Sequence, residues 1–182
     1  MMFKYFVALV TVFFFYILFT DVTEHKGANK ERLACHTRST TFEYVYNKEL
    51  VERMQDAIKS GKVEIRSKFK LAEYMPTQLA NHISLAQVDA LIQKQIDLHK
   101  TTPENNDKKL LIDYFIYEND KADPGKKTAK SKLYAGYLVF HFHIEGEKVY
   151  RIQIDFMDLQ GKDIEEKVGC VFDSVMSLKS LD

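Results

Sequence analysis

"YLVFHFHIEGEKVYRIQIDF", residues 137–156, alternates apolar and polar side chains on both sides of a single glycine. In an extended chain successive side chains point to opposite faces. Leu138, Phe140, Phe142 and Ile144 therefore share one face, while Tyr137, Val139, His141, His143 and Glu145 share the other. In the second half Tyr150, Ile152, Ile154 and Phe156 oppose Arg151, Gln153 and Asp155. The stretch reads as a β-hairpin with one apolar side. The two apolar faces coincide only if residues paired across the turn have numbers that sum to an even value, which calls for an odd-length loop, Glu145-Gly146-Glu147. That register sets Phe142 opposite Tyr150, Phe140 opposite Ile152, His141 opposite Arg151 and Tyr137 opposite Asp155. A permanent cation facing His141 disfavours both an imidazolium and a bound metal ion. No Cys, Asp or Glu follows the histidines at a familiar metal-ligand spacing. Tyr137, Val139, His141, His143, Arg151 and Gln153 are accordingly read as a wet or partner-facing side, with no metal ligands and no catalytic residues among them.

The rest of the chain builds around this hairpin. Asn47 precedes Leu50, Val51, Met54, Ala57 and Ile58 at helical spacing, and Gly61 supplies a left-handed stop. The period then changes to two in "VEIRSKFKL" (63–71), a half-buried strand whose charged side favours an antiparallel sheet. Ser84 and Gln87 stand in capping-box spacing before Leu85, Val88, Leu91, Ile92 and Ile96, a helix ending near His99. "LLIDYFIYEND" (110–120) is the least amphipathic strand and is expected at the sheet centre, and "DKADPGKKTAKSK" (120–132) is an exposed loop. Asp163 and Glu166 form a further capping-box pair ahead of Ile164, Val168, Val171, Phe172, Val175 and Leu178, with Cys170 nearly opposite the centre of that stripe. "TRSTTFEYVY" (37–46) is the candidate for a fifth strand. The expected fold is α+β: a curved antiparallel sheet of about four to five strands with helices packed on one face, preceded by an N-terminal membrane helix.

That membrane helix is read from "YFVALVTVFFFYILFT" (5–20), uncharged throughout. The run is longer than most signal-peptide cores and shorter than many spans, which need roughly 17 to 25 residues. No small-x-small cleavage site follows it, so a tail at 1–4, an uncleaved signal-anchor at 5–22, a connector at 23–43 and a single domain at 44–182 are expected, with lipid contacted through 5–22. Cleavage that releases a secreted chain beginning near Asp21 to Asn29 is the alternative. The basic residues Lys26, Lys30, Arg32 and Arg38 argue for a cytoplasmic domain by simple count, whereas Asp21, Glu24 and the short basic tail argue for export. Export is the reading adopted: a single-pass inner-membrane protein with its domain in the periplasm or another extracytoplasmic space. There Cys35 and Cys170 can pair. Two separate thiols are the alternative.

Composition narrows the function. The 182 residues carry 26 Lys plus Arg against 26 Asp plus Glu, so no bulk field draws the chain to nucleic acid. No nucleophile elbow, metalloprotease helix, phosphate loop or dinucleotide glycine motif is present. Asp113, Asp155 and Asp158 are read as surface carboxylates. A non-enzymatic accessory protein without a cofactor, binding a membrane or envelope protein, is the expectation. In layout the chain also resembles the small membrane-anchored periplasmic partners of ToxR-like transmembrane transcription regulators, with a short tail, one span, Cys35 soon after it and a strand-rich domain carrying "YRIQIDF" (150–156). The resemblance implies a sensory heterodimer that admits an apolar or amphipathic small ligand such as a bile salt.

Overall fold

The computed structural model describes residues 32–101 and 109–179. The elements follow in the order β1 (Thr41–Val45), α1 (Val51–Ser60), β2 (Val63–Lys70), α2 (Leu85–His99), β3 (Leu110–Glu118), β4 (Gly136–Ile144), β5 (Glu147–Phe156) and α3 (Ile164–Met176). The strands form one five-stranded sheet in the order β1-β5-β4-β3-β2. The class is α+β, as the patterning implies, and the strand foreseen in 37–46 is β1. The expected anchor at 5–22 lies outside the described residues. No helix among those described is long and apolar enough to cross a membrane.

Local rules account for most of the element ends. Gly61 sits at φ 76° and donates its N–H to the carbonyls of Ala57 and Ile58, closing α1. Asn47 Oδ1 accepts from the N–H groups of Glu49 and Leu50, ordering the turn that leads into that helix. Ser84 and Gln87 complete both halves of the capping box on α2. Asp163 does not cap α3 through its side chain. Its carboxylate turns back and accepts from the N–H groups of Met157 and Asp158 at 2.8 and 3.2 Å, tying the helix entry to the end of β5.

Two expectations about the sheet are corrected. β2 pairs with β3 in parallel, from Val63 beside Leu110 to Lys70 beside Tyr117, so the sheet is mixed and not wholly antiparallel. Helix α2 is the reason: it carries the chain back along one face, and the next strand starts at the same end as the last. β2 can keep Glu64, Arg66, Lys68 and Lys70 on one side because it is an edge strand. β3 is second from that edge, and the central strand is β4.

The hairpin register is as expected between Gly136 and Phe142, with His141 beside Arg151 and Tyr137 beside Asp155. Its turn is not. Glu145 and Gly146 alone form the connection, at φ 53° and 84°, the positive pair that a tight hairpin turn needs. Even-length connection and even pairing are incompatible without an extra residue. The register shifts after Phe142, so that His143 faces Lys148 and Val149 is left as the bulge.

The helices cover one face only. Val51, Met54 and Ile58 of α1, Val88, Ile92 and Ile96 of α2, and Val168, Val171 and Phe172 of α3 join Leu110 to Ile116, Leu138 to Ile144 and Tyr150 to Phe156 at alternate positions in one core. Tyr114 is buried there with its hydroxyl donating to Asp89 Oδ1 at 2.8 Å. Beneath the β2–α2 connection, buried Glu118 accepts from the N–H groups of Ala72, Gln78 and Leu79 and from the Thr77 hydroxyl. Burial opposes its charge, yet these bonds hold its carboxyl below the usual range.

Candidate functional site

The segment entering β1 is fastened at several points. Ala34–Arg38 forms a short 3-10 turn, and Cys35 is disulfide-bonded to Cys170 of α3 with a Cα separation of 5.8 Å. Cys170 points away from the main stripe of its helix and is nonetheless buried, because the turn lies over it. His36 is buried beside the disulfide. Its Nδ1 accepts the Arg32 N–H at 3.3 Å, which leaves Nε2 to donate to Ser174 Oγ at 2.8 Å. Arg32 clamps Glu43 through Nε and Nη2, and Glu43 in turn accepts the Tyr150 hydroxyl. The stretch expected as a connector is thus part of the domain from Arg32 onward. Cys35, His36 and Cys170 hold donor atoms within 4.8 Å of one another. With the two sulfurs bonded to each other, no thiolate is left for a metal.

The face of the sheet opposite the helices carries the residues singled out in the hairpin. Strand pairing sorts it into rows. One row runs Lys68, Phe115, Val139, Gln153, Phe42, and the next runs Arg66, Asp113, His141, Arg151, Tyr44. A third runs Lys70, Tyr117, Tyr137, Asp155. Tyr117 and Tyr137 stack with ring centroids 4.8 Å apart, Phe115 meets His141 edge-on at 6.1 Å, and Lys68 Nζ lies 6.0 Å from the Phe115 centroid. The result is an aromatic centre rimmed by cations.

This face is drier than the wet side expected. Val139 is only 3% exposed, and Tyr137, His141, His143, Arg151 and Gln153 are half-buried. The reason is position: β4 and β5 have a strand on each side, so long neighbours close over them. Burial first, then Lys148, Arg151 and His143, pushes the His141 imidazole down to about 4, against a smaller pull from Asp113. Burial and Lys148 also lower His143. His141 Nδ1 is buried without a hydrogen-bond partner. Asp155 is not a surface carboxylate: it is 4% exposed, and burial raises it to about 6 despite hydrogen bonds with Thr40 and Gln153. Phe42 and Tyr44 of β1, and Tyr46 just past its end, extend the aromatic surface and are exposed. Sequence reading missed them as site residues, although the alternation in "TFEYVY" carries the signal. Comparison of the chain with protein-family models, curated proteins and solved structures yields no match.

Proposed function

We propose that this protein is an extracytoplasmic, membrane-tethered binding module without enzymatic activity, which docks a membrane or envelope protein on the uncovered face of its sheet. The observation that carries the reading is the chemistry of that face. Val139 and stacked Tyr117 and Tyr137 form an apolar centre, and Arg66, Lys68, Lys70, Lys148 and Arg151 surround it. Of the acids on the face, Glu64 is spent on Arg66 and Lys109, Asp155 is buried, and Asp113 stands in its row between Arg66 and His141. The complement is a partner segment with apolar side chains flanked by carboxylates. The disulfide supports an oxidising compartment, and the apolar run at 5–20 supports the tether.

Site-specific photocrosslinking in native membranes tests this. A photoreactive residue in place of Tyr44 or His143 is expected to capture one defined protein partner, and the same residue in place of Lys94, on the helix side, is expected to capture none. Equal capture from both sides, or none from the sheet face, rejects the reading. Arg151→Glu is expected to weaken capture from Tyr44 about tenfold or more.

A further inference from the structure

A second site adjoins the docking face and shares Asp155 with it, at the corner where β1 begins and β5 ends. His36 to Thr41, Lys130, Leu133 and Tyr134 of the β3–β4 loop, and Asp155 and Met157 line an open cavity of about 330 Å³. That volume is at the small end of ligand pockets, which run from about 300 to 1,000 Å³. Its lining is zoned. Asp155 is almost wholly buried, its Oδ1 has no hydrogen-bond partner, and Ser39 Oγ is buried and unpartnered as well. None of the described cations forms an ion pair with Asp155. Buried acceptors of this kind are rare and destabilising until a donor meets them. Leu133 and Met157 are large apolar side chains left 62% and 56% exposed. Lys130 and Arg38 supply positive charge, with Arg38 shared with Glu166 at 3.4 Å.

A ligand that satisfies all three zones has a donor-rich cation, an anion and an apolar body within a few ångströms. We infer that the cavity binds a small zwitterion of the α-amino-acid class with an apolar side chain. Its ammonium meets Asp155 and Ser39, its carboxylate faces Lys130 and Arg38, and its side chain lies against Leu133 and Met157. A simple amine leaves the cations unanswered, and a simple carboxylate leaves the buried acid unpaired. Each half alone binds more weakly than the whole.

Isothermal titration calorimetry of the oxidised full-length chain in detergent, at neutral pH, tests the assignment with L-leucine, L-methionine and L-phenylalanine as probes. Isoamylamine and isovalerate serve as the half-ligands. At least one amino acid is expected to bind with a Kd of about 1 mM or tighter. Isoamylamine is expected to bind about tenfold or more weakly, and isovalerate not at all. Asp155→Asn, which keeps the shape, is expected to abolish amino-acid binding with the melting transition retained. Lys130→Gln, in an exposed loop, is expected to weaken the amino acid severalfold and leave isoamylamine unchanged. Absence of heat with all three amino acids overturns the inference. So does isovalerate binding as tightly as leucine, or an unchanged Kd in Asp155→Asn. These outcomes leave the photocrosslinking result on the sheet face untouched.

Discussion

His141 and Asp155 lie two rows apart on the same sheet face, with the Val139 and Gln153 row between them, and respond to pH in opposite senses. Asp155 has its folded-state pKa raised to about 6, so its contribution to stability is complete below the unfolded value of about 4. That contribution is lost as pH rises through about 6. His141 is depressed to about 4, so its contribution is present above about 6.5 and lost as pH falls through about 4. Between these limits the two slopes offset each other in the parent protein. Asp155→Asn is therefore expected to be more stable than the parent at pH 7 by about 1–2 kcal/mol, with the difference gone near pH 4. His141→Gln is expected to lose less stability than the parent on acidification from pH 6.5. Urea unfolding across this range checks both. Gly136 is a different single-residue constraint: a Cβ there would stand 2.2 Å from the Tyr117 carbonyl oxygen and 2.6 Å from Phe156 Cζ. Gly136→Ala is expected to destabilise by about 2–3 kcal/mol through overpacking, read from the urea midpoint.

The elements owe their ends to local chemistry and their neighbours to chain path. Capping at Ser84 and the stop at Gly61 were legible because each depends on residues within one turn. The parallel pairing of β2 with β3 was not, since nothing in "VEIRSKFK" differs from an antiparallel edge strand. The buried carboxylate of Glu118 likewise has no local signature, because its partners at Ala72 and Thr77 to Leu79 are more than thirty residues away. Its removal has a clear expectation. Glu118→Ala leaves three backbone N–H groups of the β2–α2 connection without acceptors and is expected to cost about 2–4 kcal/mol. Hydrogen exchange is expected to speed up first at Ala72, Gln78 and Leu79.

For the molecule as a whole, the disulfide joins the first described segment to the last helix across a sequence separation of 135. Closing so long a loop restricts the unfolded chain, and Cys170→Ser is expected to lower stability by up to about 5 kcal/mol, measured as a fall in melting temperature matched by reducing the parent. Periodicity by itself determined that this chain builds four strands, a candidate fifth and three helices with a shared apolar face, and that Cys170 stands off its helix stripe. It did so because side-chain period and capping are properties of a few consecutive residues. Only the tertiary structure decided the parallel edge, the bulge at Val149 and the depth of His141. The corner cavity also belongs to it, since His36 to Thr41, Lys130 to Tyr134, and Asp155 with Met157 are brought together by the sheet and not by the sequence. Burial and proximity of that kind depend on what lies alongside a residue in space, which its neighbours in the chain do not specify.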